Sequence, residues 1–164
     1  QIAVMNLGTL QQYDTAHNVY EYPANRFVGS FLGNPPMNFI KGKLAEDSGQ
    51  RVVSSGESTM PLPAGIVGAD MAIGSEVVVG VRPETLNIAA ADNPGRFTAE
   101  VQAVEPQGPE TVVTASFGNS SFKVIVPAGA DAQTGGAITL APQNDLVALF
   151  DAETGVRLMN SGGA

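Results

Sequence analysis

Few residues in this chain have the type for chemistry, and their spacing does not assemble a reaction. A phosphate-cradling loop needs Gly, four residues, then Gly-Lys-Ser/Thr, so that backbone N–H groups and one ammonium meet the phosphate oxygens. Gly42-Lys43 is the one Gly-Lys pair; Leu44 follows it, and Met37 stands where the first Gly belongs. Leu146–Phe150 followed by Asp151 has the outline of an apolar strand ending in a Mg²⁺-binding carboxylate. The segment Asp-Ala-Glu-Thr-Gly is better turn chemistry, and the phosphate loop it would serve is absent from the sequence. His17 is the single histidine and reads as a solvent-facing residue in a first helical turn. No cysteine occurs, which removes disulfides, thiolate metal sites and thiol nucleophiles together. Carboxylates such as Glu46-Asp47 and Asp151/Glu153 sit in turn segments, where charge is simply solvated. Asn119-Ser120-Ser121 fits a glycosylation acceptor, but a hairpin turn explains it better. Arg82, beside Pro83-Glu84 after a strong β run, reads as a strand-end lock or a local Arg–Glu pair; an interface or ligand contact is the sharper option. The residues therefore predict no catalytic, metal-binding or cofactor-binding site in this chain.

Composition agrees. Sixteen acidic residues against eight basic ones give a net charge of -8. Nucleic-acid affinity comes largely from clustered Lys and Arg, so a nucleic-acid partner is not expected. The 164 residues fit one domain, or one with an appendage, and a chain of that size buries roughly 70% of its unfolded surface without staples. No apolar run approaches the ~20 residues of a membrane span, and no signal-peptide pattern opens the chain. It starts at Gln1 with Ile2–Met5 already reading as a strand, which predicts a piece of something longer, with the chemistry on the other part.

The elements divide near Gly33. Ile2–Met5 and Thr9–Tyr13 read as a hairpin around Asn6-Leu7-Gly8. Thr15 can cap a helix over Ala16–Tyr22, stopped by Pro23, and Asn25 can cap a second. In that second helix Phe27, Val28, Phe31 and Leu32 make one apolar face. Gly33 and Asn34-Pro35-Pro36 end it. From there the periodicity is β: Phe39–Ala45 with Lys41 and Lys43 toward solvent, Arg51–Ser54, Thr59–Leu62 and Glu76–Val81. Arg96–Glu105 follows, with Phe97, Ala99, Val101 and Ala103 on one face. Then come Thr111–Phe117 and Ser121–Pro127 around Gly118-Asn119-Ser120, Ala137–Ala141, Leu146–Phe150, and Val156–Met159 after the turn Asp151–Gly155. Strands at this spacing mean a small antiparallel barrel or sandwich.

Two groups of segments carry a resemblance. Ile2-Ala3-Val4-Met5-Asn6, Gly8 and Gln12, then Val19-Tyr20, Pro23-Ala24-Asn25-Arg26-Phe27-Val28 and Phe31–Phe39, are one. Gly80-Val81-Arg82-Pro83-Glu84, Val104-Glu105, Gly108, Glu110-Thr111, Leu149-Phe150-Asp151, Glu153-Thr154-Gly155 and Arg157-Leu158 are the other. Together they resemble the ATP-binding subunits of bacterial carbohydrate ABC importers, similar to the maltose, sn-glycerol-3-phosphate and polyol importer ATPases. The matching region is their passage from nucleotide-binding domain into the transport-associated OB (TOBE) regulatory domain. The resemblance implies a mainly β fold: an OB-like antiparallel barrel with a short N-terminal hairpin and two helices left from the ATPase domain. Residues 1–35 would be the end of that ATPase domain, 36–160 the regulatory domain and 161–164 a tail. It implies structural motif positions at Gly80, Arg82, Pro83, Glu84 and Gly155, and a dimer interface with Leu149 and Phe150 as candidates. Phe150 has two readings, an apolar anchor at the barrel rim and ordinary barrel core.

The function implied is a non-catalytic regulatory and dimerisation domain. This fragment would not be an enzyme and would hold no cofactor; the full-length protein would be an ATPase using ATP and Mg. Its partners would be a second copy, transmembrane permease subunits, a solute-binding protein and, in some members, a regulatory protein or small effector. Its place would be cytoplasmic, peripheral on the inner face of the bacterial plasma membrane. The alternative is a small-ligand or oxyanion-binding OB module that regulates an importer, as in oxyanion-importer relatives. Eight basic residues scattered over the chain support that reading weakly, since an oxyanion needs backbone nests or convergent Lys and Arg.

Overall fold

The computed structural model describes residues 1–64, 66, 71–143 and 146–158. The N-terminal hairpin pairs β1 (Ile2–Asn6) with β2 (Thr9–Asp14). Leu7 and Gly8 both take positive φ, 47° and 82°, which is what a two-residue turn with the right twist requires. Two six-residue helices follow, α1 (Ala16–Glu21) and α2 (Arg26–Phe31). Both caps are those expected: Thr15 Oγ1 accepts from Asn18 N, and Asn25 Oδ1 accepts from Val28 N. The apolar face of α2 is divided, however. Val28 is wholly buried with Val4 and Val19, while Phe31 is 62% exposed and stacks on Phe27. One turn and a half of helix is too short to turn all four apolar residues toward one neighbour.

The remaining chain is antiparallel β. One sheet runs in the order β13 (Arg157–Leu158), β12 (Val147–Asp151), β6 (Glu76–Val81), β3 (Asn38–Asp47), β4 (Gln50–Ser55), β5 (Ser58–Pro61). The other runs β10 (Ser120–Pro127), β9 (Glu110–Phe117), β8 (Phe97–Gln107), β11 (Ala137–Pro142), β7 (Leu86–Ile88). A single core, from Ile40 to Leu149, takes side chains from both. This is the mainly β architecture expected from the strand spacing. Three details differ. β7 was not legible, because it is three residues long and follows a short 3-10 turn, Pro83–Thr85. β3 reaches Asp47, so the turn narrows to Ser48-Gly49. A bulge in β8 between Val101 and Ala103 flips the face, so that Val104 rather than Ala103 packs on the core. One inserted residue shifts a period-2 pattern by one.

β6 is apolar on both faces. Val77, Val79 and Val81 enter the shared core, while Val78 lies on the far face with Met37, Ala148 and Phe150. Both sheets also meet along a seam between β3 and β10. Asn38 is buried there, and its Nδ2 donates to Lys123 O at 2.6 Å while Lys123 N donates to Asn38 Oδ1 at 2.9 Å. The side-chain amide thus acts as one residue of a strand. Lys41 N donates to Ser120 Oγ at 3.0 Å further along. Asn38→Ala leaves both backbone groups of Lys123 without these partners, and a urea melt should show a loss of about 2 kcal/mol.

Candidate functional site

Arg82 directly follows β6 and is 3% exposed, unusually low for a guanidinium. The chain leaves the strand through Pro83 at the first position of the 3-10 turn, whose fixed φ suits that start. This directs the Arg82 side chain toward the N-terminal helices. Its Nε and Nη2 both donate to Tyr20 O, at 3.1 and 2.5 Å, and Nη1 donates to Leu32 O at 2.8 Å. The guanidinium carbon lies 3.4 Å from the centre of the Tyr20 ring. Burial pulls its pKa below the ordinary arginine value, with the Tyr20 and Glu84 oxygens working against that. The strand-end lock expected from the sequence is therefore present, but its acceptors are two carbonyls of the helical segment rather than the Glu84 carboxylate.

Glu84 serves the same joint through another bond, accepting from Tyr20 Oη at 2.5 Å. Burial, and then this bond, raise the Tyr20 pKa above its ordinary 10.0. A group whose folded pKa is raised contributes stability that is complete below the unfolded value and is lost as pH climbs through the folded one. The advantage of Tyr20 over Tyr20→Phe should thus be constant below pH 10 and shrink above it, read from urea midpoints of both proteins.

A second tie joins the same pieces. Gly155 has φ +72°, and Gly155 O accepts from Arg26 N at 2.9 Å. Asn25 and Val156 form a bridge, and Arg157 N donates to Ala24 O at 2.9 Å. Gly155 is reached by a turn that Asp151 organises, accepting from Thr154 N and Thr154 Oγ1 at 2.7 Å each. Those Thr154 bonds, backbone first, hold the Asp151 carboxyl below its ordinary range. The Mg²⁺-like outline of that strand end is a turn, as its residues suggested. The guanidinium of Arg157 lies 5.3 Å from the Tyr22 ring centre, and its buried Nη1 has no hydrogen-bond partner among the described residues.

Gly80, Arg82, Pro83, Glu84 and Gly155 thus gather where the N-terminal helices meet the β domain. Gly80 serves it from beneath: a Cβ there would stand 2.4 Å from Phe150 Cε2 and 2.9 Å from Met37 Sδ. Leu149 and Phe150, the dimer-interface candidates, lie on β12. Both are 0% exposed, and Phe150 packs edge-to-face on Phe39 at 5.7 Å. Of the two readings of Phe150, rim and ordinary core, its burial favours core, with β12 covered on both faces. His17 is exposed, with its ring 6.4 Å from Tyr22. A cleft of about 320 Å³ opens beside the lock between Tyr20, Arg82, Glu84 and Gln143. These groups can bind and position, but none is a nucleophile with a neighbouring base. Among the described residues no group of three His, Asp or Glu could hold a metal, and no helix is long and apolar enough to cross a membrane.

Sequence comparisons give this arrangement a family context. Residues 33–86 match the family described as MalK OB fold domain, and residues 79–150 match the TOBE domain. The chain is 33% identical to the oligosaccharides import ATP-binding protein MsmX of Bacillus subtilis (strain 168), over 96% of this chain and 44% of that protein. It is 35% identical to the sn-glycerol-3-phosphate import ATP-binding protein UgpC of Jannaschia sp. (strain CCS1), over 96% of this chain and 42% of that protein. The chain therefore spans less than half the length of these curated relatives. A solved structure of the cytoplasmic molybdate-binding protein ModG overlaps 68% of this chain and 94% of its own, at TM-score 0.45 and 16% identity. A likeness of that size carries no ligand across.

Proposed function

We propose that this chain, which carries the MalK OB fold and TOBE domains of importer ATP-binding proteins, is the C-terminal regulatory part of such a subunit in a carbohydrate ABC importer. Residues 1–35 are then the end of the ATPase domain and 36–160 the regulatory domain; the tail expected at 161–164 lies outside the described residues. The reading rests chiefly on the Arg82 joint: a buried cation fastens the two short helices to the β domain through their carbonyls. Such a joint passes displacement of one part to the other without reacting itself. The hairpin supports it too. Its paired Met5 and Leu10, with Tyr13 and the fully exposed Leu7, leave an apolar surface open, as expected of a piece that packs on an ATPase core.

In the whole protein, ATP and Mg bind on the other part. A second copy, permease subunits and a solute-binding protein complete the importer, and the subunit lies on the inner face of the membrane. The 164-residue chain itself is a dimerisation and regulatory module. Calorimetric titration with Mg-ATP should give no heat with this chain, whereas the full-length protein binds and hydrolyses ATP. A full-length variant ending at residue 35 should keep ATP binding and lose its nucleotide-free dimer. Micromolar Mg-ATP affinity in the short chain, or an inert full-length protein, would overturn the reading.

A further inference from the structure

All three lysines of this acidic chain, Lys41, Lys43 and Lys123, lie along the seam between β3 and β10. All three are exposed, on the outer face: in β3 the alternate residues Ile40 and Leu44 enter the core, and in β10 Phe122 and Val124 do. Their positions follow from the seam itself. Asn38 against Lys123 and Lys41 against Ser120 fix an antiparallel neighbour relation, and this sets the β3 and β10 lysines on either side of it.

Two clefts follow one another along that outer face. One, of about 570 Å³, lies between Pro35, Pro36, Phe39, Thr114, Ser121 and Lys123. The next, of about 630 Å³, lies between Lys41, Lys43, Ser54, Asn119 and Ser120, with Glu76 as the single carboxylate lining either. Glu76 stands directly across from Lys43 and offsets that charge, since opposite charges at paired positions attract. Lys41 faces Val78 and Lys123 faces Thr114 in their ladders, so neither has a carboxylate at its paired position. Asn119 and Ser120 line the cleft of Lys41, and Ser121 lines the cleft of Lys123. Clefts of several hundred Å³ are the size that takes small molecules. Lys41 and Lys123, each without a carboxylate at its paired position, and the neighbouring hydroxyls suit an anion, while Phe39 and the two prolines offer an apolar wall for an organic body.

We propose that this trough binds a small organic molecule carrying a phosphate group, with the phosphate between Lys41 and Lys123 and the organic part against Phe39 and Pro36. The site is separate from the Arg82 joint and does not depend on the importer reading. The chain's net charge of -8 repels anions, so local lysines make this stretch the favoured approach for one.

The probes are glucose 6-phosphate, inorganic phosphate and glucose, titrated into the chain up to about 10 mM, where even weak sites fill. Glucose 6-phosphate should bind, phosphate more weakly, and glucose not at all. The pair Lys41→Gln with Lys123→Gln should weaken binding by about tenfold or more. Arg96→Gln, an exposed cation lining neither cleft, should leave it unchanged, as both variants keep wild-type melts. The idea fails if glucose 6-phosphate does not bind, if glucose binds equally well, or if Arg96→Gln weakens binding as much as the lysine pair. It also fails if the lysine pair abolishes concentration-dependent self-association instead of phosphate binding, because the trough would then hold an acidic surface of a second copy.

Discussion

Replacing Phe150 by Ala is expected to remove about 3–5 kcal/mol of stability from the chain and to leave its self-association unchanged. The ring has no exposed surface and packs with Met37, Phe39, Val78 and Ala148. Its edge also approaches Gly80, which pairs with Ala148 across the β6–β12 ladder, whereas Phe150 itself pairs with Val78. Truncation leaves a cavity that β6 and β12, held in their ladder, cannot close. An interface anchor would behave in the opposite way, with little change in melting and weaker association. Urea melts and sedimentation over a concentration series separate the two, and a preserved melt with weakened association would restore the interface role. Gly80→Ala tests the same contact from below. Its Cβ would come within 2.4 Å of Phe150 Cε2 and 2.9 Å of Met37 Sδ, so ring and thioether must both shift. Combined with Phe150→Leu, which makes room, the glycine substitution should cost less than it does alone. Additive costs would mean that the two positions do not touch.

The sequence was most legible where one local signal decides the outcome. Thr15 and Asn25 cap their helices because each side chain meets an N–H three residues on. Gly118-Asn119 turns β9 into β10 in two residues. Signals that depend on distant neighbours were harder to read. Val77-Val78-Val79 announced a buried strand, but not that Val78 faces a second cluster built on Met37 and Phe150. Phe150 ends an apolar run and enters an acidic turn, a pattern shared by rim and core residues; Phe39 and Met37, more than a hundred positions away, decide between them. At Arg82 the sequence suggested a lock and offered Glu84 as the adjacent partner. The carbonyls of Tyr20 and Leu32 carry no sequence signature, since every residue has one. The lysine trough was hidden for a related reason: Lys41 and Lys123 are scattered along the chain and meet only because Asn38 aligns β3 with β10.

Arg82→Met should loosen the N-terminal segment more than it destabilises the β domain. The substitution removes donors to Tyr20 O and Leu32 O while keeping an apolar stem in the same space. Hydrogen bonds from a charged donor contribute roughly 1.5–3 kcal/mol each, so local opening of residues 15–33 should become easier by about 3 kcal/mol. The shared core draws its buried members from residues 40–149 and includes none from the helices, so the main urea transition should move less than that. Amide exchange should accelerate at α1 and α2, and limited proteolysis should cut sooner between Gly33 and Pro36. Arg82→Lys should not restore the wild-type pattern. A single ammonium cannot reach two carbonyls in the fork geometry of a guanidinium or lie flat on the Tyr20 ring. If Arg82→Met leaves exchange and cleavage at the joint as they were, then the bridge and turn at Gly155–Arg157 hold the helices without it. The coupling between the two parts would then run through β13 rather than β6.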